Sequence, residues 1–134
     1  MILGVHHFSL TVSDMSTAVK FYAEILNGKI LSDTTVQESS HHSVTQIPDA
    51  KLRIVFLSVH GQLIELVQYI SPIGKPLKAR TCDTGSSHVA FIVDNLDSTY
   101  RNLQSKGVQF KSKPVVTGNT PDGILKCVYF LDPD

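Results

Sequence analysis

The chain has 134 residues, 42% apolar and 18% charged, which is the balance of a soluble globular domain that can bury a core without staples. Twelve Lys and Arg cancel twelve Asp and Glu, so no basic field attracts nucleic acid or an anionic membrane as partner. Cys82 and Cys127 make no CxxC pair and no disulfide framework, and no apolar run approaches membrane-spanning length. The opening Met1-Ile2-Leu3-Gly4-Val5-His6-His7 lacks the basic and apolar regions of a leader, so the expected location is the cytoplasm.

Residues 5–12 alternate, with Phe8, Leu10 and Val12 on one face and His7, Ser9 and Thr11 on the other, as in a half-buried strand. Ser13 or Asp14 caps a following helix whose apolar stripe is Met15, Ala18, Val19, Tyr22, Ile25 and Leu26. Asn27-Gly28 ends it, with Gly28 expected in the left-handed position beyond the last turn. A β-branched strand is expected over 29–37, a polar loop over 38–42, and a short strand through 43–47 before the Pro48-Asp49 turn. Residues 51–59 alternate strongly, His60-Gly61 is a tight turn, and 62–69 is the hairpin partner. The first half therefore reads β-α-β-β-β.

Residues 71–86 carry Pro72, Gly74, Pro76 and Gly85 and read as a linker or flap. The order then restarts. A strand is expected at 87–93, a helix capped by Asn95 and lined by Leu96, Tyr100 and Leu103, and a stop at Lys106-Gly107. Strands at 108–116 and about 124–131 flank a Gly/Asn/Pro/Asp loop. The second half is β-α-β-β, one strand short of the first.

The two halves share more than element order. His7-Phe8-Ser9-Leu10-Thr11-Val12 and His88-Val89-Ala90-Phe91-Ile92-Val93 each open on histidine, alternate, and lead into a helix. A repeat more than half a chain long indicates a duplicated module. Histidine at equivalent strand positions points to a site between the modules.

With His7-x4-Val12-x-Asp14-Met15-x2-Ala18-x2-Phe21-Tyr22, Leu63-Ile64-Glu65-Leu66, His88-x4-Val93-Asp94 and Tyr129-Phe130-Leu131-Asp132-Pro133-Asp134, the chain resembles the vicinal oxygen chelate superfamily of glyoxalases, bleomycin-resistance proteins and extradiol dioxygenases. The likeness is nearest to the glyoxalase I and methylmalonyl-CoA epimerase branch. It implies an α+β fold in which two βαβββ modules form one cupped, mixed β-sheet. In this sequence a single domain, 1–134, would hold module one at about 1–70, the linker at 71–86 and module two at about 87–134, without its last strand. The resemblance implies a homodimer and a cup that binds a divalent metal (Zn, Ni, Co, Mn or Fe) at His7, Glu65 and His88. The family's fourth ligand, a glutamate that also serves as base, falls in a strand after Asp134.

The residues argue for the same site on their own terms. His7 and His88 both point away from the helix-packing face of their strands. Two imidazoles and a carboxylate suit a transition metal and leave positions open for substrate oxygens. Glu65 lies in an otherwise apolar strand, where a carboxylate is costly unless paired or ligating. A solvent-facing glutamate and two hydrogen-bonding strand histidines are the competing reading. His6 is read as structural, at the helix side or module edge. His41 and His42 are taken as surface residues, His60 as an exposed turn residue, and Cys127 as a buried thiol. Tyr69, Tyr100 and Tyr129 are read as core or rim aromatics, and Lys75, Lys78 and Arg80 as a solvated cluster.

The leading functional expectation is a metal-dependent lyase or isomerase of glyoxalase I or epimerase type, which stabilises an enolate or enediolate of a small oxygen-rich (thio)ester or hemithioacetal substrate. Glu65 is the possible base or ligand. Two alternatives stand beside it: a non-catalytic small-molecule binding protein of the bleomycin-resistance type, and an extradiol ring-cleaving dioxygenase using Fe(II).

Overall fold

A computed structural model describes residues 1–39, 44–121 and 123–134. The chain divides into two units, Met1–Pro76 with Pro133–Asp134, and Leu77–Asp132.

The first unit realises the β-α-β-β-β order. Strand β1 (Phe8–Thr11) leads to α1 (Met15–Val19), which widens into a π-helical turn over Lys20–Ile25. Strands β2 (Lys29–Gln37), β3 (Lys51–Val59) and β4 (Gln62–Ser71) follow. They form a mixed sheet in the order β1-β4-β3-β2, with β1 parallel to β4 and the other pairs antiparallel. His60 and Gly61 both take positive φ, as a two-residue hairpin turn between right-twisted strands requires.

Alternation decides what the sheet buries. Val55, Leu57, Val59, Ile64 and Leu66 lie on one face, and Met15, Ala18, Phe21 and Tyr22 of the helical segment are buried as well. Asp14 is the cap, accepting the Thr17 N–H at 2.7 Å. Phe21 is buried although the 3.6-residue stripe omits it. The π turn takes more residues per turn and rotates the following side chains, so Phe21 and Tyr22 face inward together while Ile25 and Leu26 are only half-buried.

Two local expectations change. Asn27, not Gly28, takes the left-handed position, at φ 58°. Gly28 is needed for close approach, since a Cβ there would lie 2.5 Å from the Tyr22 carbonyl oxygen. The described part of the expected strand at 43–47 forms no ladder. Its backbone turns instead toward a carboxylate, with the Val44 N–H donating to Glu38 Oε1 at 3.2 Å.

The second unit holds α2 (Leu96–Ser105), β5 (Val115–Thr120) and β6 (Gly123–Cys127). Asn95 caps α2 by accepting the Ser98 N–H at 2.9 Å, and Gly107 (φ 86°) carries the chain past its end. The expected strand at 87–93 has no ladder partner, since no strand equivalent to β4 is found among the described residues of this unit. Of the expected strand at 108–116, a bridge between Phe110 and Phe130 and the first two residues of β5, Val115 and Val116, are found, and residues 117–120 and 123, placed in a loop, belong to the β5–β6 hairpin. Aromatic contacts provide the packing here: Phe91 on Phe130, Phe110 on Phe130, and Tyr100 on Phe110 at 4.6 Å between centroids. No helix among the described residues is long and apolar enough to cross a membrane.

Candidate functional site

The face of the first sheet opposite its helical segment carries the candidate site. In β4, Ile64 and Leu66 point into the core, so Leu63, Glu65, Val67 and Tyr69 point the other way. Glu65 is flanked in register by Ser9 of β1 and Phe56 of β3. His7 stands one residue before β1, with the same parity as Ser9. The parallel β1–β4 ladder thus brings it beside Glu65, with His7 Nε2 3.4 Å from Glu65 Oε2. The Glu65 side chain is 16% exposed and that of His7 32%, so the pair is screened from water but reachable. The Phe56 ring stands edge-on to the His7 ring at 5.5 Å and limits its swing. On the other side, His7 Nδ1 lies 2.8 Å from His6 Nδ1.

Glu65 also lines an open depression of about 440 Å³ on this face. Ser9, Thr11, Thr45 and Tyr69 line it together with the apolar Leu52, Ile54 and Val67. Glu38 is its second carboxylate. It is only 9% exposed and accepts from Thr45 Oγ1 at 2.6 Å as well as from the Val44 N–H. Sequence reasoning missed Glu38 because it opens a polar run. Its parity with Thr34 and Val36 at the end of β2 was the signal that it continues the strand's open face.

The other sequence candidates fall as follows. His88 belongs to the second unit, where it is exposed and stands edge-on to Tyr129 at 5.5 Å. Among the described residues, His7 and Glu65 are brought together and no group of three His, Cys, Asp or Glu is gathered. His6, expected at the helix side or the module edge, is exposed and contacts His7. Cys127 is exposed, not buried, because every position of β6 is exposed. Its thiol lies 3.6 Å from Thr117 Oγ1. Arg80 is committed to Asp83 at 2.7 Å, and this bond raises the guanidinium's pKa and lowers that of the carboxyl. His41 and His42 lie outside the described residues.

The first unit is thus a β-α-β-β-β module with a histidine leading its first strand and a glutamate facing it from the fourth. The model of the Glyoxalase/Bleomycin resistance protein/Dioxygenase superfamily matches residues 4–134, and the chain belongs to that superfamily. A 2-epi-5-epi-valiolone epimerase from an Actinomyces species is 30% identical over 98% of this chain and 74% of its own length. A lactoylglutathione lyase from Schizosaccharomyces pombe is 30% identical over 97% of this chain, which spans 44% of that enzyme. Among solved structures, a mutant of the fosfomycin resistance protein FosX from Listeria monocytogenes, complexed with Mn(II) and 1S,2S-dihydroxypropylphosphonic acid, has the same fold. It aligns with a TM-score of 0.65 at 21% identity, over 98% of this chain and 86% of that one.

Proposed function

We propose that this chain is a metal-dependent isomerase or lyase that moves a proton on the carbon next to a carbonyl of a small oxygen-rich substrate. The observation that carries the reading is the His7–Glu65 pair, 3.4 Å apart and screened from water but reachable. The donor set fits a metal ion. Donors about 2.1 Å from one ion stand about 3.4 Å apart at the tetrahedral angle and about 3.0 Å at a right angle. Imidazole with carboxylate suits Zn, Ni, Co, Mn or Fe(II). His7 and Glu65 would hold the ion, with His88 as the third ligand of the proposal. Such an ion, when bound, acts as a Lewis acid that polarises a carbonyl.

The chain's own groups supply the rest. Phe56 fixes the His7 ring against Glu65. The hydroxyls of Ser9, Thr11 and Tyr69 offer donors to substrate oxygens, and the apolar Leu52, Ile54 and Val67 remove water from the reacting carbon. Glu65 doubles as the candidate carboxylate for taking the proton, since it faces the depression. The two enzyme relatives, one an epimerase and one a glyoxalase-type lyase, support proton transfer as the reaction class. FosX in complex with Mn(II) supports the choice of a divalent ion. The reading extends to a homodimer.

The test is proton exchange with solvent. Protein loaded in turn with Zn, Ni, Co and Mn is incubated in D2O with a cyclic polyhydroxy ketone, with the hemithioacetal of methylglyoxal and glutathione, and with a 2-methyl-branched coenzyme A thioester. Deuterium entering next to the carbonyl, and lost in Glu65→Gln, is the expected result. Binding without exchange for all three would leave a small-molecule binding protein as the better reading.

A further inference from the structure

His6 has no part in the reading above, yet it makes a close contact with His7. Neighbours in a regular strand point to opposite faces and do not meet. Residues 6 and 7 precede β1, outside the ladder, and there the two rings meet edge-on, 5.1 Å between centroids and 85° between planes. Their Nδ1 atoms are 2.8 Å apart. Two imidazole nitrogens at that distance share one proton, so one carries N–H and the other offers its lone pair.

This contact ties the tautomer of His7 to His6. If His6 Nδ1 donates, the neutral His7 ring carries its proton on Nε2, toward Glu65 Oε2, and that nitrogen cannot ligate. If His7 Nδ1 donates, Nε2 keeps its lone pair on the Glu65 side. A metal-ligating histidine is generally held in this second form by a fixed acceptor at its other nitrogen. We infer that His6 is a positioning residue for His7: its Nδ1 accepts the His7 Nδ1–H and keeps His7 Nε2 unprotonated for a divalent cation. The choice of this tautomer, like the role of the cation, rests on the reading above, but the tautomer is measured without any cation.

Two variants and two readouts test this. His6→Ala removes the acceptor, and His6→Asn keeps one, since the amide Oδ1 can stand near the place of the imidazole nitrogen. The first readout is the ¹⁵N NMR signature of the His7 ring in metal-free protein at a pH where both imidazoles are neutral. The expected result is protonation on Nδ1 in the wild type, a shift toward the Nε2–H form in His6→Ala, and return in His6→Asn. The second is titration with Co(II) alone, where His6→Ala should bind about 10- to 100-fold more weakly and His6→Asn should recover most of the loss. A wild-type His7 protonated on Nε2, or a His6→Ala variant unchanged in both readouts, overturns the inference. A wild type that takes no Co(II) but shows the tautomer shift upholds the role of His6 and overturns the metal reading instead.

Discussion

His7 and Glu65 face each other because β1 runs parallel to β4, with Phe8 beside Ile64 and Ser9 beside Glu65. Parallel pairing brings the start of the module next to its last strand, so residues far apart in sequence meet at 3.4 Å. Each side of the pair should therefore matter for cation binding and little for folding. His7→Ala and Glu65→Gln are each expected to weaken Zn or Co(II) affinity by at least about 10-fold while leaving the melting temperature of metal-free protein near the wild-type value. Calorimetric titration and thermal melts measure the two effects separately.

Gly28 passes close under the Tyr22 carbonyl, to which its own N–H donates at 2.9 Å. Gly28→Ala must move backbone, because its Cβ would meet that oxygen at 2.5 Å. The expected cost is about 1–3 kcal/mol, read by urea unfolding. Gly61→Ala gives a useful contrast: its Cβ has open space but its φ is positive, so only the conformational penalty applies.

Leu57 is fully buried on the helix-facing side of β3. Leu57→Ala leaves a cavity and should cost about 2–5 kcal/mol, measured by the midpoint of denaturant unfolding.

Acid should weaken the first unit through two carboxylates. The Arg53 guanidinium, bonded to Asp33 at 2.7 Å, holds the Asp33 carboxyl below its ordinary value of 3.8, and hydrogen bonds from Thr17 do the same for Asp14. A folded value below the unfolded one means that the unfolded chain binds more protons. The contribution is thus complete above pH 3.8 and is lost as pH falls through the lowered folded values. The Asp33–Arg53 pair is substantially exposed, so it should contribute no more than about 1 kcal/mol, and less at high salt. Melts between neutral pH and pH 2 should show a flat region followed by a fall, and Asp33→Asn should make that fall shallower.

Much of the first unit was legible because its signals are local. Alternation in 51–59 and 62–69, the His60-Gly61 turn and the Asp14 cap each specify structure over a few residues, and parity put His7 on the open face, while Glu65 stood out as a carboxylate in an apolar strand. What was missed depends on partners. The π turn that buries Phe21 follows from packing against the sheet, not from a 3.6-residue stripe. Glu38 looked like loop because its burial comes from Val44 and Thr45, which follow it in the chain. The strand at 87–93 has the right pattern, but a ladder needs a second strand, and pattern alone does not supply one. His6 was read from its parity, which no longer holds two residues before β1.

Elemental mass spectrometry on untagged protein reads directly whether the His7–Glu65 face holds a divalent cation. Wild-type chain and a His7→Ala, His88→Ala double variant are each incubated with Zn, Ni, Co and Mn and desalted. About one equivalent of metal per wild-type chain and a large loss in the double variant are expected. Wild-type protein that retains no metal after every incubation, or a double variant that retains as much as the wild type, would contradict cation binding at this face.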